Sequence, residues 1–268
     1  MSLRFDGLND EVRTALGACD VDGGPIFICA VIKMNALGSQ QSIVSLHNSL
    51  GDSLVAFEVN SFSRLLFVTS SGSRSMNSTI DSTWFFVAVG HASGSVVRFH
   101  TLRYSTGIWV HEQIAGNLAD GSAPGAGGTV RFGERSDTDD FEGEIQAVAI
   151  YDNIHGGAFS VENAHVETMA YSLEAWFPSG TGLMLNPIGM WVFDEPSQLL
   201  RDITGNGADE NFRQGTSAPT AISAPISGFG SPIRVIRPAA AVVAVTGAER
   251  QEGSLGILTR RKPRAVPI

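Results

Sequence analysis

Thr83-Trp84-Phe85-Phe86-Val87-Ala88-Val89-Gly90-His91, the turn Ala92-Ser93-Gly94, residues 95–102, and then Gly107-Ile108-Trp109-Val110-His111-Glu112-Gln113-Ile114 decide the fold class. Each run is short, rich in β-branched and aromatic residues, and bounded by small-residue turns, so the stretch reads as three successive antiparallel strands. Connections this short favour hairpins over crossover helices.

The same reading extends outward in both directions. Pro25-Ile26-Phe27-Ile28-Cys29-Ala30-Val31-Ile32-Lys33-Met34 is apolar on both faces for most of its length, as suits a strand in the middle of a sandwich. Further strand-like runs cover 41–47, 53–60 and 64–70. A glycine-rich connection over 116–128 leads to Thr129-Val130-Arg131-Phe132-Gly133 and then to Phe141-Glu142-Gly143-Glu144-Ile145-Gln146-Ala147-Val148-Ala149-Ile150-Tyr151. Strict alternation in that last run places Ile145, Ala147, Ala149 and Tyr151 on one face and Glu144, Gln146, Val148 and Ile150 on the other. About eleven strands are expected, enough for two packed sheets.

One segment has a helical period. Ser160 is placed to cap it and Glu162 lies in its first turn. Val166, Met169, Ala170, Leu173, Trp176 and Phe177 recur at three- and four-residue spacings until Pro178 and Gly180 end the run. Packing that stripe on the sandwich would bury Trp176.

Charge divides the chain in two. Residues 1–215 carry 11 basic against 25 acidic side chains, and residues 216–268 carry 7 against 2. The second part holds Pro219, Pro225, Pro232, Pro238, Pro263 and Pro267, six of the eleven prolines, within an extended apolar stretch that ends in Arg260-Arg261-Lys262-Pro263-Arg264. Prolines interrupt any long regular element there, so 216–268 reads as an extended basic arm that docks on a partner through Arg234, Arg237, Arg260, Arg261, Lys262 and Arg264. An acidic body repels phosphates, which excludes nucleic acid as its partner. The N-terminus lacks a basic n-region and apolar h-region, so no secretory signal is expected, and no apolar run approaches the roughly 18 residues of a membrane span. Without export, Cys19 and Cys29 are expected to stay reduced.

With these elements in place, a resemblance becomes visible. Leu3-Arg4-Phe5-Asp6-Gly7-Leu8-Asn9-Asp10 resembles the opening strand and turn of laminin-G-like, concanavalin A-like jelly-roll domains. The order from Trp84 through Phe132-Gly133 to the Phe-x-Gly turn and the strand ending in Tyr151 is similar to the body of that domain, and the helix sits where the family often carries a short one. Gly189-Met190-Trp191-Val192-Phe193-Asp194-Glu195, followed by Arg201-Asp202-Ile203-Thr204-Gly205-Asn206-Gly207, resembles its closing element. The resemblance covers roughly residues 3–212 through the combined order of its motifs. It implies an all-β, antiparallel two-sheet jelly-roll sandwich with one short helix and the C-terminal arm outside it.

Lectins, glycosidases and structural modules share this fold, so the residues must choose among them. Glycosidases of the family resemble one another in a strand with carboxylates at alternating positions. Here Glu142 and Glu144 give way to Gln146 and Val148, and the two glutamates read as a solvated strand entry, so no enzyme is expected. The histidines sit in no catalytic motif. His91, His100 and His111 could meet across three strands as a zinc site, but they lack paired spacing and read as surface or strand-end residues. Calcium would need six to eight oxygen ligands; Asp137, Asp139 and Asp140 share one loop and Asp20 and Asp22 another, yet both also suit solvated turns. No cofactor is expected beyond that option. Sugar binding has a candidate surface in Tyr104 and Trp109 beside Asn117 and Asp120, with core packing as the other reading of Trp109.

A lectin-like body without export and with a docking arm resembles an accessory protein of a bacteriophage particle, a head decoration or a tail or fibre component. It would be present in many copies, held to other virion proteins by the arm, and would touch glycans or host surfaces. A free-standing bacterial carbohydrate-binding or adhesion module is the rival expectation.

Overall fold

The structure is a computed structural model and describes residues 2–8, 10–15, 25–91, 96–116, 118, 128–136, 139–151, 159–176, 187–193, 211–214 and 220–222. The arm residues Arg234, Arg237, Arg260, Arg261, Lys262 and Arg264 lie outside the described residues, as do Cys19, Asp20 and Asp22. Among the described residues no helix is long and apolar enough to cross a membrane.

The described strands are β1 (Ser2–Asp6), β2 (Glu11–Ala15), β3 (Ile26–Met34), β4 (Gln41–His47), β5 (Ser53–Val59), β6 (Leu65–Thr69), β7 (Gly72–Ser75), β8 (Trp84–His91), β9 (Val97–Arg103), β10 (Ile108–Ile114), β11 (Thr129–Phe132), β12 (Glu142–Tyr151), β13 (Pro187–Val192), β14 (Asn211–Gln214) and β15 (Thr220–Ile222). They form two antiparallel sheets, a jelly-roll sandwich. One runs β10-β9-β8-β3-β12-β1-β15 with β13 also on β12, and the other runs β14-β2-β11-β4-β5-β6-β7. The four strands beyond the expected eleven are β2, β7, β14 and β15, each five residues or fewer. Gly72-Ser73-Arg74-Ser75 shows why they escape a periodicity reading: it has no apolar residue, and only its pairing with β6 makes it a strand. β15 lies past the expected boundary at residue 215 and pairs with β1, so residues 220–222 belong to the sandwich.

Two apolar layers organise the packing. Between the sheets lie Phe5, Ile28, Ile32, Phe57, Phe67, Val87, Phe99, Phe132 and Trp191, among others. On the outer face of the first sheet a second layer gathers Phe27, Cys29, Val31, Phe86, Ala149 and Tyr151 beneath Val166, Met169, Ala170 and Trp176. β3 is buried on both faces because it contributes alternate residues to each layer, which is why its sequence is apolar throughout. Cys29 is free and buried there.

The alternation along β12 reverses partway: Ile145 joins Val148 and Ile150 between the sheets, while Ala147, Ala149 and Tyr151 face outward. A register shift between Ile145 and Ala147 inserts one extra residue, as a β-bulge does. The bulge falls where β12 changes neighbour, from β1 along Glu142–Ile145 to β13 from Ala147 onward. The helix is also shorter than its apolar stripe. α1 spans Phe159–Met169, a turn follows, and a separate 3-10 turn covers Leu173–Trp176. Ser160 therefore lies inside α1 and does not cap it.

Candidate functional site

The outer layer is where polar chemistry concentrates. β10 is the edge strand of its sheet, and the register aligns Ala88, His100 and His111 across β8, β9 and β10. Alternation then directs Arg98, His100, Trp109 and His111 outward toward α1, and Val110, Glu112 and Ile114 the other way. His91 lies three residues beyond Ala88 and so takes the opposite face, where it packs on Phe67 with ring centroids 5.4 Å apart. The three-histidine gathering does not form. Among the described residues no group of three or more His, Cys, Asp or Glu side chains is arranged to hold a metal.

A continuous hydrogen-bonded chain instead links sheet and helix. Arg98 and His100 both contact the fully buried Glu162 of α1, the His100 Nε2 atom at 2.9 Å. The Nδ1 atoms of His100 and His111 are 2.9 Å apart, and His111 Nε2 lies 3.2 Å from Glu167 Oε1. Burial alone would push the Glu162 carboxyl up, but the hydrogen bonds and charges of His100 and Arg98 hold it below the usual carboxylate range. Burial drives the His100 imidazole down, against the pull of Glu162.

Beside this chain lies an aromatic ledge. The Trp109 and His111 rings are stacked, 5.1 Å apart and 12° from parallel. Phe86 closes the buried edge of Trp109 and Tyr171 meets its other side at 6.5 Å. Tyr171 is 57% exposed, and the Glu167 side chain 48%. Trp109 is partly buried, packed against the outer apolar layer with part of its surface still accessible. Tyr104 does not join the ledge: its hydroxyl donates to the Ala170 carbonyl at 2.7 Å, holding the end of α1, and burial pushes its pKa far up. Asn117 and Asp120 lie outside the described residues.

The loop proposed for calcium is described only in part, with Asp137 outside the described residues. Asp139 accepts from the Ser136 hydroxyl at 3.0 Å, and its carbonyl accepts from the Ser42 N–H at 2.8 Å. Asp140 is half-buried at the entry to Phe141. Glu144 is not a solvated strand entry. It is 6% exposed and paired with Lys33 at 3.1 Å, because its neighbours on β3 and β1 bring a cation and the Ser2 hydroxyl to it.

A second polar lattice covers the outer face of the other sheet. Glu11, Arg13, Arg131, Ser45 and His47 alternate with the core residues Val12, Val130 and Leu46. The Ser45 hydroxyl donates to the Glu134 carbonyl at 2.8 Å, and His47 contacts that hydroxyl through Nε2 and the Gly51 carbonyl through Nδ1. Sequence reading missed both lattices, since their members come from separate strands and only the register brings them together.

No protein-family model and no curated protein matches the sequence. Solved structures do match in fold. A Bacteroides ovatus protein assigned provisionally to carbohydrate binding aligns at TM-score 0.50 and 11% identity, covering 82% of this chain and 61% of its own. Domains LG4-5 of the mouse laminin α1 chain align at TM-score 0.43 and 14% identity, over 57% of this chain and 42% of theirs. Tailspike protein 2 of Escherichia coli O157:H7 bacteriophage CAB120 aligns at TM-score 0.43 and 17% identity, over 64% of this chain and 24% of its own. The likeness is one of fold: the chain is an antiparallel jelly-roll sandwich with laminin-G-like and lectin-like neighbours.

Proposed function

We propose that this chain is a non-enzymatic glycan-binding module whose ligand lies on the Trp109–His111 ledge. One observation carries the reading: two stacked, half-buried rings on an edge strand, with the exposed Glu167 carboxylate and Tyr171 at their rim. A partly exposed aromatic stack beside a hydrogen-bond acceptor suits a sugar, which presents C–H groups for aromatic contact and hydroxyls for the carboxylate. A glycan array probed with the full chain and with Trp109→Ala tests it. Specific hits that vanish in the variant support the ledge. Hits that survive, or an array with no hits for the folded protein, overturn it.

The setting proposed for the module is a phage particle, with residues 223–268, the part of the expected arm beyond β15, as the tether and other virion proteins as partners. The support is the contrast between an acidic body and a basic, proline-interrupted arm. A chain lacking 223–268 retains every described strand and should fail to join particles. Incorporation of that truncated chain would overturn the tether and favour a free-standing adhesion module.

A further inference from the structure

Hydrogen bonding along Glu162–His100–His111–Glu167 can be settled by counting protons. Glu162 accepts from Arg98 on one oxygen, and its Oε1 faces His100 Nε2 at 2.9 Å, so that nitrogen must donate. Glu167 Oε1 faces His111 Nε2 at 3.2 Å, so that nitrogen donates as well. A neutral imidazole has one N–H, and both are now spent. The two Nδ1 atoms, 2.9 Å apart, would present lone pairs to each other unless one further proton lies between them.

We propose that His100 and His111 share a single proton, and that its arrival pins Glu167 beside the Trp109 ledge and so tightens ligand binding in acid. This rests on the ledge being the binding site. With the proton present, the chain from Arg98 to Glu167 balances two cationic units against two carboxylates. When the proton leaves, one contact must open. Glu162 cannot move, being fully buried and held by Arg98, whereas Glu167 is 48% exposed and can turn to water. His111 then shifts its remaining proton to Nδ1 and donates to His100. The stack on Trp109 also weakens, since an imidazolium gains more from an indole face than a neutral ring does.

β9 supplies Arg98, β8 and β3 place Ala88 and Phe27 against His100, and α1 supplies Glu162 and Glu167 and also carries His165. Glu112 of β10 points to the other face, where it accepts from the Asn77 and Ser78 N–H groups. Burial disfavours the charged form of the His100 imidazole and holds it below the ordinary imidazole range. The proton reaches the pair from solvent through His111, whose side chain is 15% exposed.

The experiment has two arms on the full chain. Imidazole nitrogen NMR from about pH 8 to about pH 5 should show both rings responding to one shared protonation, with His111 changing tautomer. Two separate protonations, or fixed neutral tautomers throughout, overturn the proposal whether or not a glycan is known. For any array hit, affinity should rise about three- to tenfold over the same interval, and His100→Gln should flatten that rise. A wild-type affinity independent of pH overturns the coupling. Absence of any hit instead overturns the glycan reading and leaves the shared proton to be decided by the NMR.

Discussion

Arg13 on β2 and Arg131 on β11 are direct cross-strand partners, so both cations belong to the same face of the seven-stranded sheet. Like charges in that position destabilise a strand pair. Glu11 relieves them, touching Arg13 at 2.6 Å and Arg131 at 3.9 Å, and Glu134 also lies 3.9 Å from Arg131. Glu11→Gln should therefore cost about 1–3 kcal/mol, because it leaves half-buried cations underneutralised. Urea unfolding is the measurement; an unchanged midpoint would show the lattice to be energetically neutral.

Glu134 gives the same face a pH dependence. Burial first, then the charge and hydrogen bond of Glu11, push its carboxyl up to about 7, with Arg131 opposing. A raised folded-state value means that the stabilisation is fully present below the ordinary 4.5 and is lost as pH rises through about 7. The Glu134 contribution to the unfolding free energy should fall between about pH 5 and about pH 8, against the opposite contributions of His47 and His100, whose burial lowers their values. Glu134→Gln should make stability fall less, or rise more, with pH than in the wild type, and an identical pH dependence in both proteins would rule out the Glu134 contribution.

Gly133 occupies a backbone position that tolerates no side chain. Its φ is +83°, and a Cβ there would stand 2.4 Å from the Phe5 ring and 2.9 Å from the Asp10 carbonyl. Phe5 is a fully buried member of the inner core, so it has no room to retreat. Gly133→Ala should lower stability by about 2–4 kcal/mol, read from the thermal midpoint, by combining left-handed strain with overpacking.

Trp176 and Tyr151 fasten the helical segment to the sheet. The Trp176 indole N–H donates to the Met169 carbonyl at 2.8 Å, and the buried Tyr151 hydroxyl donates to the Trp176 carbonyl at 2.7 Å. Tyr151→Phe should cost about 1–2 kcal/mol by leaving that carbonyl without its donor. Trp176→Ala should cost about 3–5 kcal/mol through the cavity it opens. Calorimetry on the two variants gives the order; a larger loss for Tyr151→Phe would contradict it.

The longer strands were legible because their side chains record their surroundings. Ile26–Met34, Gln41–His47 and Trp84–His91 carry apolar residues at the positions that face a core. The same alternation failed at Gln146, since an inserted residue changes the face of everything after it and leaves no mark in composition. Trp109 was legible as an aromatic that packs on a core, while Tyr104 was legible only as an aromatic. The Ala170 carbonyl that consumes its hydroxyl is 66 residues away.

The sequence by itself determined the class of fold, the contrast between body and arm, and the strand that bears the ledge, because hydrophobic period and charge are local properties of the chain. Tertiary structure alone decided which titratable groups meet. His100 and His111 face each other through strand register, and Glu162 and Glu167 reach them from a helix more than fifty residues further along. Hydrogen bonds act over about 3 Å, so only the completed packing of sheet and helix could bring four such groups into line.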